Sequence, residues 1–286
     1  MKREYRAKHY FSFITRVTGF AGVISLLVSC TDGKTPQKPS SAEIPVAVPA
    51  LTYHYMAKYP HDTTAFTEGL LFHEGQLFES TGATSNLPQT RSLFGTVDLT
   101  TGAITVKAEL DKDQYFGEGI TILNGKVYQL TYKSRKGFVW DANTYEQLKT
   151  FDLPGKEGWG MTTDGSSLIM SDGTNTLTWL DPESLQMIRT LNVTEKGRRR
   201  RDLNELEYIN GYIYANIWMT NEIVKIDPSN GEIVGKLDLS PFAQESKAIY
   251  PGAEEMNGIA WHPEKQEMWV TGKMWPVIYA LKVAHE

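Results

Sequence analysis

From residue 51 onward the chain repeats one hydrophobic shape. Five segments carry it: FTEGLLFHEGQLFESTG (66–82), FGEGITILNGKVYQLTY (116–132), WGMTTDGSSLIMSDG (159–173), LNELEYINGYIYANIW (203–218) and MNGIAWHPEKQEMWVTG (256–272). Each is a short apolar run, a turn of two to five residues containing Gly, Asn or Asp, and a second apolar run, which is the signature of a β-hairpin. After each of the first four a further hairpin can be read. Its turns are Leu99-Thr100-Thr101-Gly102, Asp141-Ala142-Asn143-Thr144, Asp181-Pro182-Glu183-Ser184 and Asp227-Pro228-Ser229-Asn230-Gly231. These residues make turns for steric reasons: Pro presets φ, Gly accepts positive φ, and Asp binds the backbone ahead of it.

Four strands per unit in five units predict an all-β fold, a five-bladed β-propeller. The last unit is one strand short where VIYALKV ends the chain, and LTYHYMAKY (51–59) precedes the first unit unassigned. That stretch is predicted to supply the missing outer strand and close the ring. No helical period is evident in 51–286, so no helix is expected. In a propeller the first strand of each blade lines the central channel, so the residues that open each repeat converge. Those are Phe66-Thr67-Glu68, Phe116-Gly117-Glu118, Gly158-Trp159-Gly160, Leu203-Asn204-Glu205 and Met256-Asn257-Gly258.

The N-terminal fifty residues lack this pattern. A basic start, MKREYRAKHY, is followed by an apolar stretch from Val17 to Val28 that is too short to span a bilayer and reads as a signal-peptide core. It ends in Leu27-Val28-Ser29-Cys30, which resembles the bacterial lipobox, with Cys30, the chain's single cysteine, as the lipidated residue. Residues 31–50, rich in Pro and Ser, read as a flexible tether holding a soluble domain off a membrane. The expected location is the bacterial cell envelope, periplasmic or outer-membrane-associated. Thr31 after the cysteine gives no inner-membrane retention signal of the Asp kind. The 286-residue chain has a formal charge of −5, which asks for no nucleic acid, and Arg198–Arg201 reads as a solvated loop. A closed propeller is self-sufficient, so a monomer is expected.

The ring at the channel mouth is the candidate site. Glu68, Glu118 and Glu205, with Asn204 and Asn257, would face one cavity flanked by Phe66, Phe116, Trp159, Tyr132 and Trp218, and Lys273 ends the corresponding strand of the last unit. An apolar pocket with a few convergent polar groups is the usual form of a small-molecule site. A carboxylate walled by aromatics is desolvated and gains proton affinity, as acid–base work requires. Any one aromatic here is equally a core residue. Glu205 and Glu207 suit either neighbouring backbone or a structural divalent cation on the axis. The six scattered His and the absence of HExxH, GxSxG and GxxxxGK[ST] leave carboxylates as the candidate chemistry, metal-independent and without a cofactor. A propeller glycosidase with paired carboxylates and a non-catalytic binding platform are the alternatives.

At FTEGL, FGEGITIL, GWGMTTDG, LNELEYINGYIYANIW and NGIAW…VTGKMWP the chain resembles the plant-latex and bacterial type of glutaminyl-peptide cyclotransferase, in order over about residues 60–283. The resemblance implies a five-bladed propeller that converts N-terminal glutamine of peptides and proteins to pyroglutamate with release of ammonia. It implies Glu118 as general acid/base, with Asn204 and Lys273 positioning the amide and stabilising the oxyanion. Phe66, Glu68, Phe116, Tyr132, Trp159 and Trp218 would bind substrate. The family has Gln or Glu at the Glu68 position, so chemistry there is not expected to depend on charge. Tyr132 stands where plant relatives carry Trp.

Overall fold

A computed structural model describes residues 47–284. The leader, the lipobox Cys30 and most of the tether lie outside them. The described chain is nearly all β-strand, arranged as five four-stranded antiparallel blades. The first strand, β1 (Tyr53–Pro60), belongs to the last blade. Blade one is β2 (Thr67–His73), β3 (Gln76–Thr81), β4 (Leu93–Val97) and β5 (Ile104–Glu109). Blade two is β6 (Gly117–Leu123), β7 (Lys126–Thr131), β8 (Lys136–Asp141) and β9 (Gln147–Asp152). Blade three is β10 (Met161–Thr163), β11 (Leu168–Met170), β12 (Thr176–Leu180) and β13 (Met187–Asn192). A small hairpin follows, β14 (Thr194–Glu195) with β15 (Arg198–Arg199). Blade four is β16 (Leu203–Ile209), β17 (Tyr212–Ile217), β18 (Glu222–Ile226) and β19 (Ile233–Asp238). After helix α1 (Ser240–Ile249), β20 (Met256–His262), β21 (Glu267–Gly272) and β22 (Val277–Val283) form blade five, and β1 pairs with β22 from Tyr53↔Val283 to Pro60↔Val277. The ring closes as the pattern predicts, with no unpaired seam between first and last blades.

Burial falls outward along each blade, and the sequence shows why. The innermost β6, GEGITIL, is buried at every position, whereas the outermost β9, QLKTFD, buries only Phe151. Five apolar clusters sit between neighbouring blades rather than within them. Phe78 and Phe94 of blade one, for instance, pack with Val127 and Phe138 of blade two. The outer hairpin turns use the predicted device. Asp98 Oδ1 accepts from the amides of Thr100 and Thr101 at 2.7 and 3.0 Å, and Asp141 Oδ1 from Asn143 and Thr144 at 2.8 Å each. These bonds hold both carboxyls below their usual pKa.

Three expectations need correction. Helix α1 exists, started by Pro241 and buried through Phe242 and Ser246. Two buried positions one turn apart are too few to leave a period in the sequence; Phe242 against Tyr279, with ring centroids 4.5 Å apart, does the anchoring. The arginine run is not a loop throughout, since Arg198 and Arg199 form β15 and Arg200 pairs with Glu222 at 2.9 Å. The end of the stretch read as tether is held in place: Ala50 bridges to Lys236, and Lys236 N donates to Pro49 O at 3.0 Å.

Candidate active site

The innermost strands do not begin as regular ladders. Register breaks lie between Thr67 and Gly69 in β2, Gly117 and Ile120 in β6, Leu203 and Leu206 in β16, and Met256 and Ile259 in β20. Such bulges leave residues unpaired and re-aim their side chains. Here they carry Glu68, Glu118, Asn204-Glu205 and Asn257. The glycine after Glu118 is required by packing: a Cβ on Gly119 would lie 2.5 Å from Met161 N and 2.6 Å from Trp159 O, and Gly119 N donates to that same carbonyl at 2.8 Å. Backbone meets backbone across the blades, and the carboxylate before the glycine is turned to the mouth.

A cavity of about 270 Å³ results. All nine residues singled out as catalytic or substrate-binding line it: Phe66, Glu68, Phe116, Glu118, Tyr132, Trp159, Asn204, Trp218 and Lys273. The aromatics form a continuous arc of edge-on and tilted contacts. Centroids are 6.0 Å apart for Phe66–Phe116 and for Phe116–Tyr132, 6.3 Å for Tyr132–Trp159 and 5.6 Å for Trp159–Trp218.

The polar groups have distinct partners. Lys273 Nζ lies 3.0 Å from Glu68 Oε1, 3.2 Å from Glu255 Oε1 and 4.6 Å from the Phe66 ring centroid. The second oxygen of Glu68 accepts from Asn257 Nδ2 at 3.0 Å. Glu118, 5% exposed, makes no side-chain hydrogen bond or ion pair among the described residues. Burial raises its pKa well above the carboxylate range, and the charge of Glu68 adds to the rise. Burial likewise pushes Glu68 up to about 7 against the pull of Lys273. Burial alone would depress Lys273, but Glu68, Glu255 and Glu118 outweigh it and hold the ammonium charged. Asn204 is 2% exposed, and its Oδ1 has no hydrogen-bond partner among the described residues.

Glu205 stands apart. Its oxygens accept from Leu70 N at 3.2 Å and Ile259 N at 2.8 Å, tying blade four to blades one and five. Glu207 similarly accepts from Trp261 N at 2.9 Å. Of the two readings for these axial carboxylates, the backbone one describes the observed bonds. Among the described residues no group of three His, Cys, Asp or Glu side chains is placed to hold a metal ion.

Residues 25–283 match the family described as glutamine cyclotransferase. The chain belongs to the glutamine cyclotransferase family. It is 40% identical over 230 residues to the glutaminyl-peptide cyclotransferase of Arabidopsis thaliana, covering 80% of this chain and 70% of the relative. The fold is similar to the crystal structure of Myxococcus xanthus glutaminyl cyclase, with a TM-score of 0.74 and 32% identity over 82% of this chain and 98% of that one.

Two lining residues escaped the sequence reading, Thr84 and Glu255. For Glu255 a signal existed. Lys273 N donates to Glu255 O at 3.0 Å just as Gly82 N donates to Phe66 O and Tyr132 N to Phe116 O. Glu255 thus occupies in blade five the repeat position held by Phe66 in blade one, Phe116 in blade two and Asp202, which accepts from Trp218 N at 2.9 Å, in blade four. Its Oε1 also accepts from Trp218 Nε1 at 3.2 Å, so one carboxylate oxygen links the aromatic wall to the cation. Thr84 has no such signal; it lies in an irregular loop held by its amide donating to Thr90 Oγ1 at 2.9 Å.

Proposed function

We propose that this family member is a glutaminyl-peptide cyclotransferase, closing the N-terminal glutamine of peptides and proteins to pyroglutamate. In that reaction the α-amine nitrogen bonds to the side-chain carboxamide carbon, the bond to the –NH2 group breaks, and one proton moves from the attacking to the departing nitrogen. The observation that carries the reading is Glu118, a buried carboxyl on the cavity wall with no protein partner among the described residues. A carboxyl with its proton affinity raised both accepts and returns a proton in the working pH range, which contributes ~10²–10⁴-fold.

The other roles follow from what each group is free to do. Lys273, kept cationic by Glu68 and Glu255, is a poor base and a good fixed charge for the oxygen of the tetrahedral intermediate. Both Glu68 oxygens are engaged by Lys273 and Asn257, so Glu68 acts by holding Lys273 and shaping the substrate pocket. Asn204, with an unpartnered carboxamide oxygen, suits the substrate amide N–H. The aromatic arc excludes water and folds the glutamine side chain back on its own amine, which makes ring closure a matter of proximity. No residue role calls for a metal. The test is ammonia release from Gln-Ala-type peptides, with and without a chelator and against an N-acetylated control. Absence of release, or its loss with chelator, refutes the reading. For the leader, the proposal remains lipidation at Cys30; Cys30→Ala should shift the protein from the membrane to the soluble fraction.

A further inference from the structure

The two tryptophans of the cavity wall are not held by burial. Trp218 is 41% exposed and Trp159 is half-buried. Each instead donates its indole N–H to a carboxylate: Trp218 Nε1 to Glu255 Oε1 at 3.2 Å, and Trp159 Nε1 to Glu157 Oε2 at 3.0 Å. Glu255 lines the cavity beside its tryptophan, whereas Glu157 stands behind the wall, and none of the proton, oxyanion or amide roles uses it.

The backbone explains why Glu157 stands there. Gly158 N donates to Thr131 O and Tyr132 O at 3.1 Å each, so the entry to blade three is tied to the end of β7. A Cβ on Gly158 would lie 2.9 Å from Thr131 O, so this approach requires glycine. The tie brings Glu157 beside Lys133, with 3.8 Å between Oε1 and Nζ, and Lys133 Nζ lies 4.4 Å from the Tyr132 ring centroid. One carboxylate thus holds Trp159 through one oxygen and, through the other, the ammonium that covers Tyr132. The benzo ring of Trp159 rests on Gly173, where a Cβ would lie 2.6 Å from Cζ2. Tyr132 and Trp159 meet edge-on at 6.3 Å, so two adjacent panels of the arc share one support.

We infer that Glu157 is a positioning residue for the cyclisation: with Lys133 it fixes the Tyr132–Trp159 side of the wall against which the substrate glutamine folds onto its own amine. The inference rests on the cyclotransferase reading above. A displaced wall costs turnover more than affinity, because proximity is what it supplies. The test is ammonia release from Gln-Ala-amide by the wild type, Glu157→Gln, Glu157→Leu, Trp159→Phe, and Glu157→Leu combined with Trp159→Phe. Glu157→Gln keeps an oxygen for the indole and gives up the charge pair, whose lysine side chain is 63% exposed and which is therefore worth little. Glu157→Leu gives up both and should lower kcat about tenfold, the lower end for a hydrogen bond to a charged acceptor, with KM changed less. Glu157→Gln should stay within about threefold of wild type. In the Trp159→Phe background, which has no indole N–H to hold, Glu157→Leu should cost less than about twofold. Tm should hold within about 2 °C in both single variants of Glu157, as for a partly exposed side chain. Wild-type kcat in Glu157→Leu, equal losses in Glu157→Gln and Glu157→Leu, an undiminished loss in the Trp159→Phe background, or a Tm that falls in step with kcat overturns the role of Glu157 and leaves the cyclotransferase reading intact. No ammonia from the wild type overturns both.

Discussion

Glu118→Gln separates chemistry from structure in this site. The wild-type carboxyl makes no side-chain hydrogen bond or ion pair among the described residues, so the isosteric amide forfeits none. Glutamine also copies the neutral form that burial already favours. Substrate binding should therefore persist with KM little changed, while turnover loses the proton shuttle. A loss of ~10²–10⁴-fold in kcat is expected, about 3–5 kcal/mol of barrier. Stability should move the other way. A carboxyl whose folded pKa lies above its unfolded value contributes fully below the unfolded pKa, and that contribution is lost as pH rises through the folded one. The variant lacks this loss, so it should match the wild type at acid pH and exceed it in the alkaline range. The assay is steady-state ammonia release on a Gln-initiated peptide beside thermal unfolding at two pH values. A kcat within tenfold of wild type refutes the role of Glu118, and a lower Tm at acid pH refutes the claim that it is unpartnered.

Glu255→Ala frees the Trp218 indole and leaves Lys273 with Glu68; losing hydrogen bonds to a charged group worth ~1.5–3 kcal/mol should cut kcat/KM roughly 10–100-fold, with a shift in tryptophan emission that an uninvolved residue would not cause. Glu205→Ala strands the amides of Leu70 and Ile259, each costing about 1–3 kcal/mol, so Tm should fall by several degrees or more, and an unchanged Tm would contradict the inter-blade role. Glu207 is pushed up to about 8 by burial, so its contribution to folding is lost as pH rises through about 8; Glu207→Gln should flatten the urea-unfolding profile between pH 5 and 9. His61 is raised too: burial would depress it, but Glu79, 3.0 Å away, outweighs that, and Trp275 O lies 2.7 Å from the other ring nitrogen. Removing one partner of a buried pair costs about 3–5 kcal/mol, so His61→Ala should unfold at markedly lower urea.

The helix and the irregular loop mark where local pattern stops being informative. Alternating and continuous apolar runs reveal strands because every strand buries side chains at a fixed period. Helix α1 buries two residues on one turn, too few for a period. Thr84 reaches the cavity through a loop shaped by contacts with Thr90 and Leu87. Glu255 was legible in principle from repeat register, but the same position holds Phe66, Phe116 and Asp202 in blades one, two and four, so no single residue type marks it.

Local chemistry settled the rest of the site's membership. Turn residues counted the blades, apolar runs ranked inner strands above outer ones, and the unassigned stretch at 51–59 foretold the closing strand. The repeat openings named Phe66, Glu68, Phe116, Glu118, Trp159 and Asn204, and the ends of the second strands named Tyr132, Trp218 and Lys273. What each carboxylate does was decided only by the closed ring. Glu68 meets Asn257 across 189 residues of chain, and Glu205 meets Leu70 across 135. Glu118 has an equivalent place in its own blade, and its carboxyl meets no hydrogen-bond or ion-pair partner among the described residues. A carboxylate's proton affinity depends on burial and on which donors surround it, and those donors come from other blades. The sequence could place three glutamates at one mouth; only the packed propeller could make one a structural acceptor, one a lysine anchor and one a candidate proton shuttle.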